Sequence, residues 1–187
     1  MGQIQRTEIL DYMTYSERRD TLRPVVLKEK AARRVHLGSY LTFLFENQAT
    51  IRYQIQEMVL HERLVREADI EHEIETYGEL LGGAGELGCT LLIEIDDPAG
   101  RDEKLRRWMG LNESLYLRLE DGGEAPAQWD PRQVGDDRLS SVQYLRFDTG
   151  GVAPVGIGCR FDDPELALES ALDERQRAAL SADLQES

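Results

Sequence analysis

Apolar residues recur at helical spacing through much of the first half of the chain. The pattern is clearest over residues 47–66, where one face carries Ile51, Ile55, Met58, Val59 and Val65. A second helix is predicted from Asp69 to the Gly82–Gly83 pair, because paired glycines end helices. Upstream, Ser16 is the predicted N-cap of a basic helix reaching Arg33, and Pro24 either starts a new helix or kinks this one.

Strand patterns flank these helices. Val35–Leu37 and Tyr40–Glu46, separated by Gly38–Ser39, read as a β-hairpin. Leu41, Phe43 and Phe45 share one strand face, and we expect that face to pack on the apolar side of the following helix. Further strands are predicted over residues 89–96, 115–119, 142–147 and 155–161, with a helix over 98–109. Residues 122–138 read as a polar loop, either without regular structure or with a short strand near Gln128–Trp129.

Helices and antiparallel strands are segregated along the chain, which favours the α+β class over a doubly wound fold. The predicted order is N-terminal helices and a β-hairpin, two central helices, antiparallel strands in the second half and a C-terminal helix. Helical structure is expected from Asp163–Pro164 onward. The length of 187 residues fits a single domain over residues 1–187.

Charge divides the chain into two parts. The net charge is −14, made up of +3 over residues 1–66 and −17 over residues 67–187. This excess of acid argues against nucleic acid or an anionic membrane as the main partner. The first residues lack the apolar segment of a secretory signal, and no stretch of about 20 apolar residues could span a bilayer. We therefore expect a cytoplasmic protein in which Cys89 and Cys159 are buried thiols.

Basic residues cluster between positions 18 and 34. The cluster comprises Arg18, Arg19, Arg23, Lys28, Lys30, Arg33 and Arg34, opposed there by two acids. One interpretation is a solvated helix face that pairs with the acidic part of the same chain. The other is a docking surface for an acidic protein or an anionic ligand.

Catalytic and metal-binding patterns are sparse. Glu57 and His61 are spaced i, i+4, so the carboxylate could orient the imidazole as a general base, with Glu46 as a further candidate. The same spacing also occurs in ordinary surface pairs. The three histidines lack ligand spacing, so we predict no bound metal and no cofactor. A Gly-x-Gly-x-x-Gly string at residues 83–88 leaves a helix and enters a strand, the reverse of a dinucleotide-binding loop.

Several strings resemble a bacterial family of domains of unknown function, number 3501. They are the stretches 33–38, 41–47 (LTFLFEN), 54–58 (QIQEM), 62–63, 85–87, 90–95 and 144–147. The resemblance covers most of the chain. The family pattern has a His-Pro dipeptide where this chain has Asp163–Pro164, so a site that used that histidine would differ here.

The resemblance implies a setting and a set of positions. Members of the family resemble products encoded near rubrerythrin-like and iron–sulfur proteins, which implies a redox or oxidative-stress context. A site shared within the family would use polar residues at the end of the hairpin and on the following helix. These positions are Glu46, Arg52, Gln54, Gln56, Glu57 and Arg63.

Three functions follow as hypotheses. The first is a non-catalytic accessory or interaction protein with an acidic protein partner, in a redox system such as that of a rubrerythrin-like or iron–sulfur protein. The second is an enzyme that uses Glu57 and His61, with Glu46, as an acid–base set. The third is a small-anion sensor that uses the basic stretch.

Overall fold

The computed structural model describes residues 4–186, so the prediction about the N-terminal segment lies partly outside this range. The helices are α1 Tyr12–Ala32, α2 Gln48–His61, α3 Glu67–Gly78, α4 Pro98–Arg107 and α5 Glu174–Glu186. The strands are β1 Arg34–Leu37, β2 Leu41–Phe45, β3 Glu86–Ile93, β4 Leu115–Leu119, β5 Glu124–Gln128, β6 Val142–Asp148, β7 Pro154–Cys159 and β8 Leu168–Ala171. Mixed helices and antiparallel strands confirm the α+β class.

The eight strands form one antiparallel sheet in the order β1-β2-β3-β6-β5-β4-β7-β8. Its two end strands approach each other, since a Cβ placed on Gly38 after β1 would lie 2.3 Å from the Leu168 side chain in β8. The sheet is therefore bent into a nearly closed, barrel-like layer. The sequence did not predict this curvature, because it depends on pairings such as β3 with β6 that join distant parts of the chain.

The interior of the barrel-like sheet holds the larger hydrophobic core, here called the sheet core. Leu41, Phe43 and Phe45 of β2 point into it, as alternation along a strand predicts. α5 contributes Leu180 and Leu184 to the same core. The expectation that the β2 face packs on α2 is wrong, because the apolar side of α2 belongs to a different cluster.

The helical layer is that second cluster, formed by residues 4–10, α1, α2 and α3. Its buried residues are Ile4, Ile9, Ile51, Ile55, Val59 and Ile70. Asn47 caps α2, accepting from the Thr50 backbone amide at 3.0 Å, so the predicted start of that helix is confirmed. Its predicted end at residue 66 is wrong, because α2 ends at His61 and Val65 is 72 % exposed.

Three local predictions need correction. The N-cap of α1 is Asp11 rather than Ser16, and α1 continues through Pro24. The short strand considered near Gln128–Trp129 in the predicted loop lies earlier, because β5 covers Glu124–Gln128. Residues 168–171, expected to be helical, form β8 because they pair with β7 and complete the sheet edge. Helical propensity is a weak constraint where a strand edge is open for pairing.

Candidate functional site

α1 packs on α2 along one side only. Tyr15 is its buried residue, whereas Met13, Leu22, Val25 and Leu27 are 62 %, 40 %, 62 % and 45 % exposed. We use the term outer face of α1 for the exposed part of the helix surface, which extends around much of the helix and carries Met13, Arg18, Leu22, Arg23, Val25, Leu27 and Lys28. Arg18, Leu22 and Val25 follow one another at i, i+4 and i+7, so they lie on one side of the helix.

The basic stretch is divided between internal pairing and solvent. Arg19 donates two hydrogen bonds to Glu57, at 2.8 and 2.7 Å. Arg33 is buried and donates to both carboxylate oxygens of Asp183 at 2.7 Å. Arg18, Arg23 and Arg34 are exposed. Internal pairing therefore describes Arg19 and Arg33, whereas Arg18, Arg23 and Arg34 are exposed and available to a partner.

Glu57 is held by partners other than His61. It accepts a hydrogen bond from the Tyr15 hydroxyl at 2.6 Å as well as those from Arg19. The Arg19 guanidinium holds the pKa of the Glu57 carboxyl below its usual value. None of the hydrogen bonds among residues 4–186 joins Glu57 to His61, which is exposed at the end of α2. A lowered pKa is the opposite of what a general base working near neutral pH requires.

The other predicted positions on α2 also have structural surroundings. The Gln56 side chain donates to the Leu10 carbonyl at 2.8 Å and accepts from its backbone amide at 2.9 Å, tying residues 4–10 to α2. Arg52 lies 3.4 Å from Glu8, and its Nε is buried without a hydrogen bond. Gln54 is half-buried, while Arg63 is exposed with a left-handed backbone, at φ 52°. These positions are spread along the helix and converge on no common atom.

Glu46 lies at the junction of β2, β3 and α2. Its carboxylate accepts hydrogen bonds from the hydroxyls of Thr50, at 2.5 Å, and Thr90, at 2.9 Å. Thr90 is opposite Tyr144 in the pairing of β3 with β6, so Glu46 lies close to that tyrosine. The candidate Glu46 is thus brought together with Thr90 and Tyr144, which sequence reasoning missed, rather than with Glu57 and His61.

A second polar group lies on the outer face of the same strands. His36 Nδ1 lies 2.9 Å from the Thr42 hydroxyl, and Thr42 in turn donates to Glu94. Because the hydroxyl proton goes to Glu94, Nδ1 is the donor to Thr42. The alternation of β1 and β2 placed these residues on the outer face, but nothing in the sequence paired them.

A concave surface lies at the seam between the helical layer and the barrel-like sheet. It is a groove with a volume of about 760 Å³, bordered by the end of α3, the segment leading into β3, β6 and residues 128–133. Its lining includes Trp129, Tyr144, Arg146 and the carboxylates of Glu79, Glu86 and Asp130. The sequence signal for this groove was an exposed aromatic residue on a strand, Tyr144, which is 45 % exposed.

Three further observations concern the cysteines, the grouping of possible metal ligands and the lengths of the helices. Cys89 and Cys159 are free and buried, as expected, and burial raises the pKa of each thiol. Within residues 4–186 no three His, Cys, Asp or Glu side chains are grouped to hold a metal ion. No helix in that range is long and apolar enough to cross a membrane.

Known proteins provide a family and a fold, but no activity. A family model described as "Protein of unknown function (DUF3501)" matches residues 3–184. A crystal structure of a novel protein of unknown function from Burkholderia pseudomallei K96243 is similar, with 30 % sequence identity and a TM-score of 0.87. The match covers 98 % of this chain and 100 % of that one. No curated protein matches this chain.

Proposed function

The chain belongs to the DUF3501 family of proteins of unknown function, and we propose that it is a non-catalytic accessory protein that docks an acidic partner through the outer face of α1. The observation that carries this proposal is the exposure of Leu22 and Val25 as neighbours on α1, with Met13 and Leu27 also exposed elsewhere on the same helix. Apolar residues grouped on an exposed surface and flanked by charge are typical of protein interaction sites.

The outer face of α1 has the composition of a docking surface. Leu22 and Val25 are neighbours on the helix, and Arg18 precedes them by one turn. Burial of the apolar pair would supply most of the affinity, because exposed charges contribute chiefly to orientation and on-rate. With Arg19 and Arg33 paired internally, Arg18, Arg23 and Lys28 remain to attract an acidic rim on the partner.

A redox setting is part of the proposal. The family resemblance implies a rubrerythrin-like or iron–sulfur protein as the partner, and no other feature of this chain bears on that identity. The acid–base hypothesis is less favoured, since Glu57 is engaged by Arg19 and Tyr15. The small-anion hypothesis is also less favoured, since two of its arginines already bind carboxylates of this chain.

The test begins with a photo-crosslinking residue at Val25 in the native host, followed by identification and purification of the crosslinked protein. Its affinity is then measured for three purified forms of the full chain. One form carries Leu22→Ser and Val25→Ser, and another carries Arg18→Glu, Arg23→Glu and Lys28→Glu. The control form carries Arg66→Glu, Arg132→Glu and Arg138→Glu, which change the net charge equally at exposed sites elsewhere.

Both outer-face forms should weaken binding at least about tenfold, as loss of central interface residues does. The charge-reversed form should act mainly on the on-rate, with a steep dependence on salt. The control form should bind like wild type. Equal affinity of wild type and the Leu22/Val25 form would exclude this face as the docking surface. A crosslinked partner without an acidic surface would contradict the charge component.

A further inference from the structure

The groove at the seam has the size and position of a ligand site. Its volume of about 760 Å³ lies within the range typical of small-molecule sites, which favour junctions between structural units. Leu80 and Leu81 on one side pack against the helical layer, while Trp129 on the other packs against the sheet core. A ligand here would touch both parts of the molecule.

Side-chain hydrogen bonds from Gln133 fix the backbone of Tyr144, an aromatic residue that lines the groove. The Gln133 side chain bonds both backbone groups of Tyr144, accepting from its amide at 2.7 Å and donating to its carbonyl at 2.8 Å. β5 pairs with β6 only through Ala127 and Gln128, so β5 does not pair with Tyr144. The two bonds from Gln133 hold the Tyr144 backbone there instead. The backbone of Tyr144 therefore needs little ordering upon binding, and Trp129 packs partly against the sheet core.

The charge of the lining is predominantly negative. It contains three carboxylates, Glu79, Glu86 and Asp130, and one guanidinium, Arg146. Glu86 accepts from the Gly83 amide at 2.7 Å and lies 3.5 Å from Arg146, and Asp130 is paired with Arg132. In contrast to Glu86 and Asp130, the Glu79 carboxylate makes no hydrogen bond or ion pair with any other residue among residues 4–186.

Glu79 also occupies an electrostatically unfavourable position. It is the C-cap of α3, where the helix dipole places partial negative charge and favours a cation. Arg132 is a cation near enough to interact favourably with Glu79, and it offsets part of this effect. An unbonded carboxylate at a helix C-terminus, beside two aromatic rings, is the arrangement that a bound cation would stabilise.

We propose that this groove binds an organic cation, an amine or guanidinium group attached to an apolar body. The cationic group would lie beside Glu79 and against the Tyr144 and Trp129 rings, and the apolar body would cover Leu80 and Leu81. The site is separate from the outer face of α1. Two sources of this chemistry exist, a free small amine and a basic side chain of another protein.

Tryptophan fluorescence reports directly on this groove. The chain has two tryptophans, of which Trp108 is fully buried and Trp129 lines the groove. Three probes share a phenylethyl body and differ in charge: 2-phenylethylamine is positive, 2-phenylethanol is neutral and 3-phenylpropanoate is negative. The amine should protect Trp129 from acrylamide quenching and bind about tenfold more tightly than the alcohol. Equal binding of amine and alcohol, or tighter binding of the acid, would overturn the proposal.

Two conservative variants locate the bound cation. Glu79→Gln removes the charge while keeping the shape, and Tyr144→Leu keeps apolar bulk but removes the ring. Each should weaken amine binding about fivefold, and neither should affect binding of the alcohol as strongly. Glu103→Gln on α4 is the matched control, since this exposed residue is not among those lining the groove. Unchanged amine binding in both groove variants would overturn the assignment.

A short peptide with a single lysine, tested beside the free amine, separates the two sources. Tighter binding of the peptide would identify a basic side chain as the occupant, and tighter binding of the amine would identify a small molecule. Binding of neither probe at millimolar concentration would overturn the proposal. Thermal melts of all variants verify that they remain folded, which the exposure of Glu79 and the partial exposure of Tyr144 lead us to expect.

Discussion

Phe43 in the sheet core and Ile55 in the helical layer are both 0 % exposed, but they have different kinds of neighbours. Phe43 lies in a large cluster drawn from most of the strands, from α4 and from α5. Ile55 lies in a cluster with six buried members among the described residues. Around that small cluster, polar contacts join the elements of the helical layer: Arg19 and Tyr15 to Glu57, Arg6 to Glu67, and Gln56 to Leu10.

The difference indicates that the two regions depend on different forces. The sheet core buries enough apolar surface to stabilise the barrel-like sheet by the hydrophobic effect, which changes little with pH or salt. The helical layer relies more on charged hydrogen bonds, which are sensitive to both. The helical layer should therefore unfold locally before the barrel-like sheet does. The outer face of α1 belongs to this layer, and the seam groove borders it.

The largest effect should come from Phe43→Ala. Removal of a fully buried aromatic side chain leaves a cavity, and the expected loss in free energy of unfolding is about 3–5 kcal/mol. Urea denaturation followed by the near-UV signal of Trp108, which lies in the same core, measures this loss. A loss below about 1 kcal/mol would mean that the sheet core can refill the space and that its advantage over the helical layer is overstated.

A smaller effect, confined to the helical layer, should come from Glu57→Gln. The change removes the ion pair with Arg19 and weakens the hydrogen bond from Tyr15, so we expect a loss of about 1–2 kcal/mol. Hydrogen exchange should rise in α1 and α2 but not in β2 and β3. Glu62→Gln, an exposed change at the end of the same helix, is the control. Faster exchange in the strands as well would show that the two regions open together.

The same carboxylate gives this effect a pH dependence. The pKa of Glu57 is lowered below 4.5 in the folded state, so its stabilisation is fully present above that unfolded value. It is lost as the pH falls through the folded pKa. Wild type and Glu57→Gln should therefore differ at neutral pH and converge in acid, as monitored by the exchange rates of α1.

The smallest effect should be a gain in stability from Arg63→Gly. Arg63 ends α2 in the left-handed region at φ 52°, and the Leu64 amide bonds the Val59 carbonyl at 3.0 Å, as in a Schellman motif. Glycine adopts this backbone without strain, so we expect about 0.5–1 kcal/mol of added stability. Arg63→Ala keeps the strain and should change little. A gain with alanine equal to that with glycine would place the cost in the guanidinium rather than in the backbone.

Local patterns were sufficient for much of the fold. The apolar period of α2 as far as Val59, its start near Asn47 and the alternation of β2 were readable, because each depends on residues close together in the chain. β8 was mistaken for helix, since four residues of mixed propensity become a strand only when β7 offers an edge. For β5 only its end near Gln128 was considered as strand, because β5 contains Pro126 and pairs with β6 over two residues.

The sequence by itself determined which residues are apolar, where charge is concentrated, and that Cys89, Phe43 and Ile55 would be buried. Only the tertiary structure decided which hydrophobic cluster each of those residues joins, and which basic side chains among residues 4–186 are exposed. Arg33 and Asp183 are 150 positions apart, and Glu79 and Tyr144 meet at the groove only because β6 pairs with β3. Side-chain partners of this kind follow from the order of strands in the sheet, which no local pattern of hydrophobicity or charge encodes.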